Sequence, residues 1–153
     1  MEILENIPLS QFSSYKIGGV ARYIIRAGNK EEIAEAIKFS RSKELPLFIL
    51  GGGTNILFSD SGFSGVVLRP EILNLQLSGD TLIVGAGVLM RDLLSFAIEN
   101  SLSGLEWAGG LPGTLGGAIR GNAGAFGGEM KDNIFKVSSV KRTGDGNFIE
   151  RNN

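Results

Sequence analysis

Two glycine runs are the parts of this sequence with chemistry to offer. The first is Gly51-Gly52-Gly53-Thr54-Asn55; the second is Leu111 to Gly128, LPGTLGGAIRGNAGAFGG. Successive glycines let neighbouring backbone N–H groups turn toward one concavity, a nest that suits an anion such as phosphate. Thr54 and Asn55 add side-chain donors. The first run departs from two familiar phosphate signatures. It has no lysine for a Walker loop, and no Gly-x-Gly-x-x-Gly opening a helix, because position 56 is Ile and ILFSDSGFSG reads as loop. Taken alone, the run is open to two readings, a phosphate nest or a plain tight turn.

The second run is unusual for what surrounds its glycines. Glycine makes up 23 of 153 residues, about twice the usual ~7%. Residues 104–128 hold ten glycines but only two charges, Glu106 and Arg120. An exposed flexible linker would be polar. A buried backbone must satisfy its N–H and C=O groups. A flat aromatic cofactor would do this, and so would tight helix–sheet packing; composition leaves both open. Two side-chain-poor loops about sixty residues apart together suit an elongated ligand, with pyrophosphate in the middle and a ring at one end. FAD has that shape.

Composition removes most other chemistries. With no histidine and no cysteine, the chain lacks triads, thiolate nucleophiles, and His- or Cys-ligated metals. Lys+Arg number 15 and Asp+Glu 16, for a net charge of −1, and no block of like charge suggests a nucleic-acid or polybasic membrane surface. The N-terminus, MEILENIPLSQF, carries glutamates where a secretory signal would carry lysines. The longest clean apolar stretch, Leu45 to Leu50, is far short of the ~20 residues a membrane helix needs. The expectation is a soluble cytoplasmic protein with no nucleic acid, membrane or metal partner.

The elements that must position the two runs read as follows. Arg22–Ala27 is a strand, and Asn29 caps a helix over Lys30–Glu44 with Glu32 as capping-box partner and Ile33, Ala36, Ile37 and Phe39 near helical spacing. Pro46 ends it, and Leu47–Leu50 is a buried strand feeding the first run, so the opening ~65 residues form a βαβ unit. Gly65–Arg69, Leu73–Leu77 and Asp80–Val84 are further strands. Val88–Asn100 is a helix with Leu89, Leu93, Leu94, Ala97 and Ile98 on one face. After the glycine region, Phe135–Arg142 alternates, Gly144-Asp145-Gly146 turns, and Asn147–Glu150 returns.

These residues resemble a known family. Ser13-Ser14-Tyr15-Lys16-Ile17-Gly18-Gly19-Val20-Ala21, Gly51 to Leu57, Gly104 to Ala118, and Asn122-Ala123-Gly124-Ala125-Phe126-Gly127-Gly128-Glu129 resemble, in order and spacing, the UDP-N-acetylmuramate dehydrogenases, or UDP-N-acetylenolpyruvoylglucosamine reductases. The wider resemblance is to the α+β FAD-binding fold of the vanillyl-alcohol oxidase and p-cresol methylhydroxylase type. It implies two α+β subdomains, residues 1–65 and 66–153, the second incomplete and the substrate domain absent.

The resemblance also implies a flavoenzyme of peptidoglycan precursor synthesis. FAD is reduced by NADPH and passes hydride to the enolpyruvyl double bond of a UDP-sugar, giving UDP-N-acetylmuramate. Gly51, Gly52, Gly53, Thr54, Asn55 and Thr114 would hold the pyrophosphate. Leu111, Pro112, Gly113, Gly116, Gly117, Asn122, Gly124 and Ala125 would line the ribityl and ring end. Phe126 stands where the family usually has tyrosine on the substrate side. The family's Tyr-Arg-x-Ser catalytic motif does not occur, so no residue here is assigned to catalysis and the chain alone is expected to be inactive. Arg120, Glu106 and Glu129 are read first as surface charges or local ion pairs; Arg120 near flavin or phosphate and Glu129 as a helix or loop anchor stay open, and none is named catalytic. Two alternatives stand: a stand-alone FAD-binding module lending flavin to a partner, and a non-catalytic phosphate- or nucleotide-sugar-binding protein.

Overall fold

The computed structural model describes residues 1–141, 143 and 148–152. The chain begins with β1 (Glu2–Pro8), a 3-10 turn (Leu9–Phe12) and β2 (Val20–Ala27), which pairs antiparallel with β1. Helix α1 (Lys30–Ser42) follows, then β3 (Leu47–Ile49) and β4 (Phe63–Pro70). The sheet order is β1-β2-β4-β3, with β4 parallel to both its neighbours. The expected βαβ unit is present, with a later strand inserted between its two strands. The anticipated boundary at 65/66 falls inside β4.

Period-two alternation sorts the side chains of this sheet between two layers. Tyr23, Ile25, Ala27, Val66 and Leu68 pack with Ala36, Ile33 and Phe39 of α1 on one face; Ile24 and Val67 pack with Leu9, Leu50, Phe48 and Phe58 on the other. Both faces are covered, so the parallel strands read as near-continuous apolar runs. Burying each large apolar side chain contributes ~1.5–3 kcal/mol. Helix α1 starts where the sequence says. The Asn29 side chain accepts from Glu32 N–H at 2.8 Å. The return bond differs from a standard capping box: the Glu32 carboxylate accepts from Gly28 N–H at 2.7 Å and pairs with the N-terminal ammonium. The ammonium's hydrogen bond is the chief cause of Glu32's lowered pKa. The helix ends at Ser42, short of Pro46, with Glu44 in the left-handed region (φ 53°).

The remainder is a second α+β unit. Strands β5 (Leu75–Ser78) and β6 (Thr81–Val84) form a hairpin, followed by α2 (Met90–Glu99) and a 3-10 turn (Glu106–Ala108). Within the glycine region lie α3 (Leu115–Gly121) and a minimal hairpin, β7 (Gly124–Ala125) with β8 (Gly128–Glu129). After α4 (Met130–Asn133), β9 (Lys136–Val140) and β10 (Phe148–Asn152) pair antiparallel. The expected turn at Gly144-Asp145-Gly146, together with Arg142 and Asn147, lies outside the described residues. Val88, Met90, Leu93, Ala108, Leu115, Ala118 and Met130 form this unit's core. Ile98, expected on the packed face of α2, is instead exposed. It lies one residue, about 100° around the helix, past Ala97, which holds the buried face of that turn. Among the described residues, no helix is long and apolar enough to cross a membrane, and no group of three His, Cys, Asp or Glu could hold a metal.

Candidate functional site

The first glycine run begins where sheet hydrogen bonding stops. Leu50 N–H donates to Leu68 C=O at 2.8 Å as the last bond of the β3–β4 edge. Beyond it, the N–H groups of Gly51, Gly52, Gly53, Thr54 and Asn55 find no protein acceptor among the described residues. The loop is pinned instead through its carbonyls. Gly53 C=O accepts from Ser14 N–H at 2.9 Å, and Ile56 C=O accepts from Ser13 Oγ at 3.3 Å. Gly53 has φ 68° and its missing side chain would overlap Phe12 C=O, so this position needs glycine twice over.

The second run is held by the second unit. Met90 N–H donates to Gly113 C=O (3.0 Å), Leu115 N–H to Val88 C=O (2.8 Å), and Gly116 N–H to Ala86 C=O (2.9 Å). Thr114, nearly buried, caps α3 by accepting from Gly117 N–H at 3.4 Å. The N–H groups of Gly113 and Thr114 make no protein hydrogen bond among the described residues.

The two runs meet backbone against backbone. A Cβ on Gly52 would lie 2.7 Å from Gly113 Cα and 3.2 Å from Thr114 N; one on Gly51 would lie 2.7 Å from Thr114 Oγ1, and one on Gly113 2.8 Å from Thr54 Oγ1. Glycine here admits one main chain to the other. The contact gathers the unpartnered N–H groups of Gly51–Asn55 and of Gly113 and Thr114 into one neighbourhood, and neither of these stretches carries a carboxylate. These residues fit a pyrophosphate, the anionic centre of FAD.

The rest of the predicted set lies along α3, which spans about 10 Å. Leu111 and Pro112 precede it, and Gly116 and Gly117 lie in its first turn. A Cβ on Gly116 would come 2.9 Å from Ala86 Cβ, so this glycine serves helix packing. Asn122 follows as a left-handed cap (φ 43°). Its side chain is committed to protein: Nδ2 donates to Glu129 Oε2 (2.8 Å) and Oδ1 accepts from Lys131 N–H (3.0 Å). Gly124 and Ala125 form β7. Phe126 and Gly127, with φ 51° and 88°, make its turn, and two positive φ values in a two-residue loop are the type I′ geometry. Phe126 is 93% exposed. An open hollow of about 380 Å³ is lined by Asn122 and residues 124–129.

Arg120 is exposed on α3. Glu106 accepts from Gly104 N–H at 2.8 Å. Glu129 is held below the ordinary carboxylate range, first by hydrogen bonding from Lys131 and then from Asn122; Lys131 is raised by the same pair. Gln11 to Ser14, Lys16 and Arg69, to which the sequence assigns no binding role, line a second depression beside Gly52. Ser13 to Lys16 belong to the stretch Ser13–Ala21 that carries the family resemblance, and the pair Gly18-Gly19 in it fixes how the segment packs. A Cβ on Gly19 would come 2.6 Å from Gly62 N, so the segment is packed close against the loop that follows the first glycine run.

Comparison with known proteins gives this geometry a family context. The profile of the "FAD binding domain" family matches residues 21–149. A UDP-N-acetylenolpyruvoylglucosamine reductase of Syntrophomonas wolfei subsp. wolfei is 42% identical over 145 residues, 94% of this chain and 48% of the relative. That of Lactobacillus acidophilus is 34% identical over 146 residues, 95% of this chain and 49% of the relative. The chain thus spans about half the length of the curated relatives it matches. Among solved structures, the UDP-N-acetylenolpyruvylglucosamine reductase of Thermus caldophilus superposes with TM-score 0.84 at 33% identity, covering 99% of this chain and 53% of that one. The 6-hydroxy-D-nicotine oxidase of Arthrobacter nicotinovorans superposes with TM-score 0.75 at 20% identity over 99% of this chain and 35% of that one, a likeness of fold alone.

Proposed function

Since this chain belongs to the FAD binding domain family and has its α+β fold of the vanillyl-alcohol oxidase type, we propose that it is the cofactor-holding part of a UDP-N-acetylenolpyruvoylglucosamine reductase. Bound FAD supplies hydride transfer, chemistry that no side chain here provides. The protein's part is to bind and orient. The N–H groups of Gly51–Asn55, Gly113 and Thr114 face the pyrophosphate. Leu111, Pro112, Gly117, Gly124 and Ala125 line the ribityl and ring end, Gly116 seats α3 against Ala86, and Asn122 acts there by bracing the β7–β8 hairpin through Glu129 and Lys131. NADPH as reductant, a UDP-linked enolpyruvyl sugar as substrate, and the cytoplasm as workplace belong to the same proposal. So does a division into two FAD-binding units near residue 65, with β4 completing the first sheet at Pro70.

One observation carries this reading: two glycine runs, from different units, touch through their backbones and leave adjacent N–H groups without acceptors among the described residues. The test is uptake of FAD by the purified chain, followed by flavin fluorescence and by emission of Trp107, the one tryptophan. Saturable uptake with ADP as competitor is the expected result. A colourless protein that takes up no FAD overturns the proposal.

A further inference from the structure

Beside the glycine run lies a depression of about 160 Å³ lined by Gln11, Phe12, Ser13, Ser14, Lys16, Gly52 and Arg69. It shares Gly52 with the run, so whatever occupies the run lies next to it. Its wall carries two cations, Lys16 and Arg69, and no carboxylate. Arg69 projects from the last turn of β4, opposite Arg26 in the β2–β4 register. Its guanidinium carbon lies 4.7 Å from the centre of the Phe12 ring, a cation–π contact. Its counter-charge is weak. Glu71 Oε1 is 4.0 Å from Arg69 Nη1 and is shared with Arg26 Nε at 3.5 Å. Arg69 Nε is buried and has no acceptor among the described residues. The side chains of Gln11, Ser14 and Lys16 make no hydrogen bond within the described residues. An under-neutralised guanidinium on the wall, with a lysine and a hydroxyl that make no hydrogen bond among the described residues, together make a receptor for phosphoryl oxygens.

We infer that this depression receives a phosphoryl group of the dinucleotide lying on the glycine run, and that Arg69 and Lys16 select ligands that carry a diphosphate. The inference rests on the cofactor reading above and extends it to charged side chains that the glycine motifs do not include. The N–H groups of the run would hold one side of the diphosphate, and Arg69 with Lys16 would neutralise the other. Riboflavin, which has the ring but no phosphate, would gain nothing from either cation.

The test titrates FAD, ADP and riboflavin into the whole chain by calorimetry, for the wild type, Arg69→Gln and Lys16→Gln, with thermal melts to establish that each is folded. Lys16 is exposed, so its variant keeps the test open should Arg69→Gln fail to fold. Loss of one charge-assisted contact to a phosphoryl group predicts FAD and ADP binding at least about tenfold weaker in Arg69→Gln and about threefold weaker in Lys16→Gln, with riboflavin unchanged. FAD affinity within about twofold of wild type in the folded variants overturns the inference and leaves the cofactor reading intact. Wild-type binding of ADP but not FAD, lost in the variants, removes the cofactor reading and keeps the anion site. Binding of neither removes both.

Discussion

Replacing Gly52 by alanine perturbs the contact between the two glycine runs and little else. The added carbon would sit 2.7 Å from Gly113 Cα and 3.2 Å from Thr114 N. Carbon atoms in comfortable contact lie about 3.5–4.0 Å apart, so the runs must part by roughly 1 Å. Both neighbours are main chain, held by the Met90 N–H to Gly113 C=O and Leu115 N–H to Val88 C=O bonds, so no side chain can swing aside. Overpacking of this kind costs about 1–3 kcal/mol of stability. The greater effect falls on FAD, whose pyrophosphate would meet two sets of N–H groups no longer at a common distance. Binding should weaken at least about tenfold, or ~1.4 kcal/mol. Flavin-fluorescence titration measures it, and Gly79→Ala is the matched control. Gly79 has φ 60° in the β5–β6 loop with nothing within 4 Å of its Cβ position, so alanine there strains the backbone by ~1–2 kcal/mol without touching the site. A folded Gly52→Ala protein that binds FAD as tightly as Gly79→Ala would refute the reasoning.

Three further outcomes can be measured. Thr114→Val removes the α3 cap, which should lower stability by about 1 kcal/mol in urea denaturation and weaken FAD binding, while Thr114→Ser restores both. Phe126→Asn places a residue suited to the left-handed region at φ 51° and gives up no packing, since Phe126 is exposed; a gain of up to ~1 kcal/mol follows, and a loss of stability would contradict the type I′ assignment. Glu129's pKa is lowered by Lys131 and Asn122, so its contribution to stability is complete above the ordinary carboxylate value and lost as pH falls through its depressed value. Thermal melts across that acid range should fall more steeply for the wild type than for Glu129→Gln.

Local signals made part of this fold legible. Asn29, Glu32 and Pro46 marked the limits of α1 because capping and proline effects act within one turn. The β2, β3 and β4 strands stood out because burial on both faces packs their centres, Tyr23–Ile25 and Val66–Leu68 with Leu47 and Phe48, with apolar side chains. β1 gave no such cue. EILENIP carries two glutamates and no alternation, and it becomes a strand by pairing with residues about twenty positions away. Helix α3 was hidden for the opposite reason: LGGAIRG holds three glycines, poor helix formers, and forms because Thr114 caps it and Ala86 leaves room for no side chain at Gly116. The second run had been open to either ligand contact or packing. Gly116 and Gly128 are packing glycines, against Ala86 and Trp107, whereas Gly113 meets the other run. Composition cannot divide a glycine run that way, because the division depends on which backbone lies opposite. Arg69 lay outside every motif; only the register of β4 brings it beside Gly52.

The insertion of β4 between β2 and β3 sets an order of assembly. Leu47, Phe48 and Ile49 have no strand to join until Val66, Val67 and Leu68 are in place, so the edge is laid down after the strand that follows it in the chain. The bend at Gly51 is tethered at the end of that edge. During synthesis the diphosphate cradle therefore cannot take shape until the polypeptide has reached Pro70 and its newest strand has threaded beside β2, which makes this non-local step the gate through which any coenzyme must wait to enter.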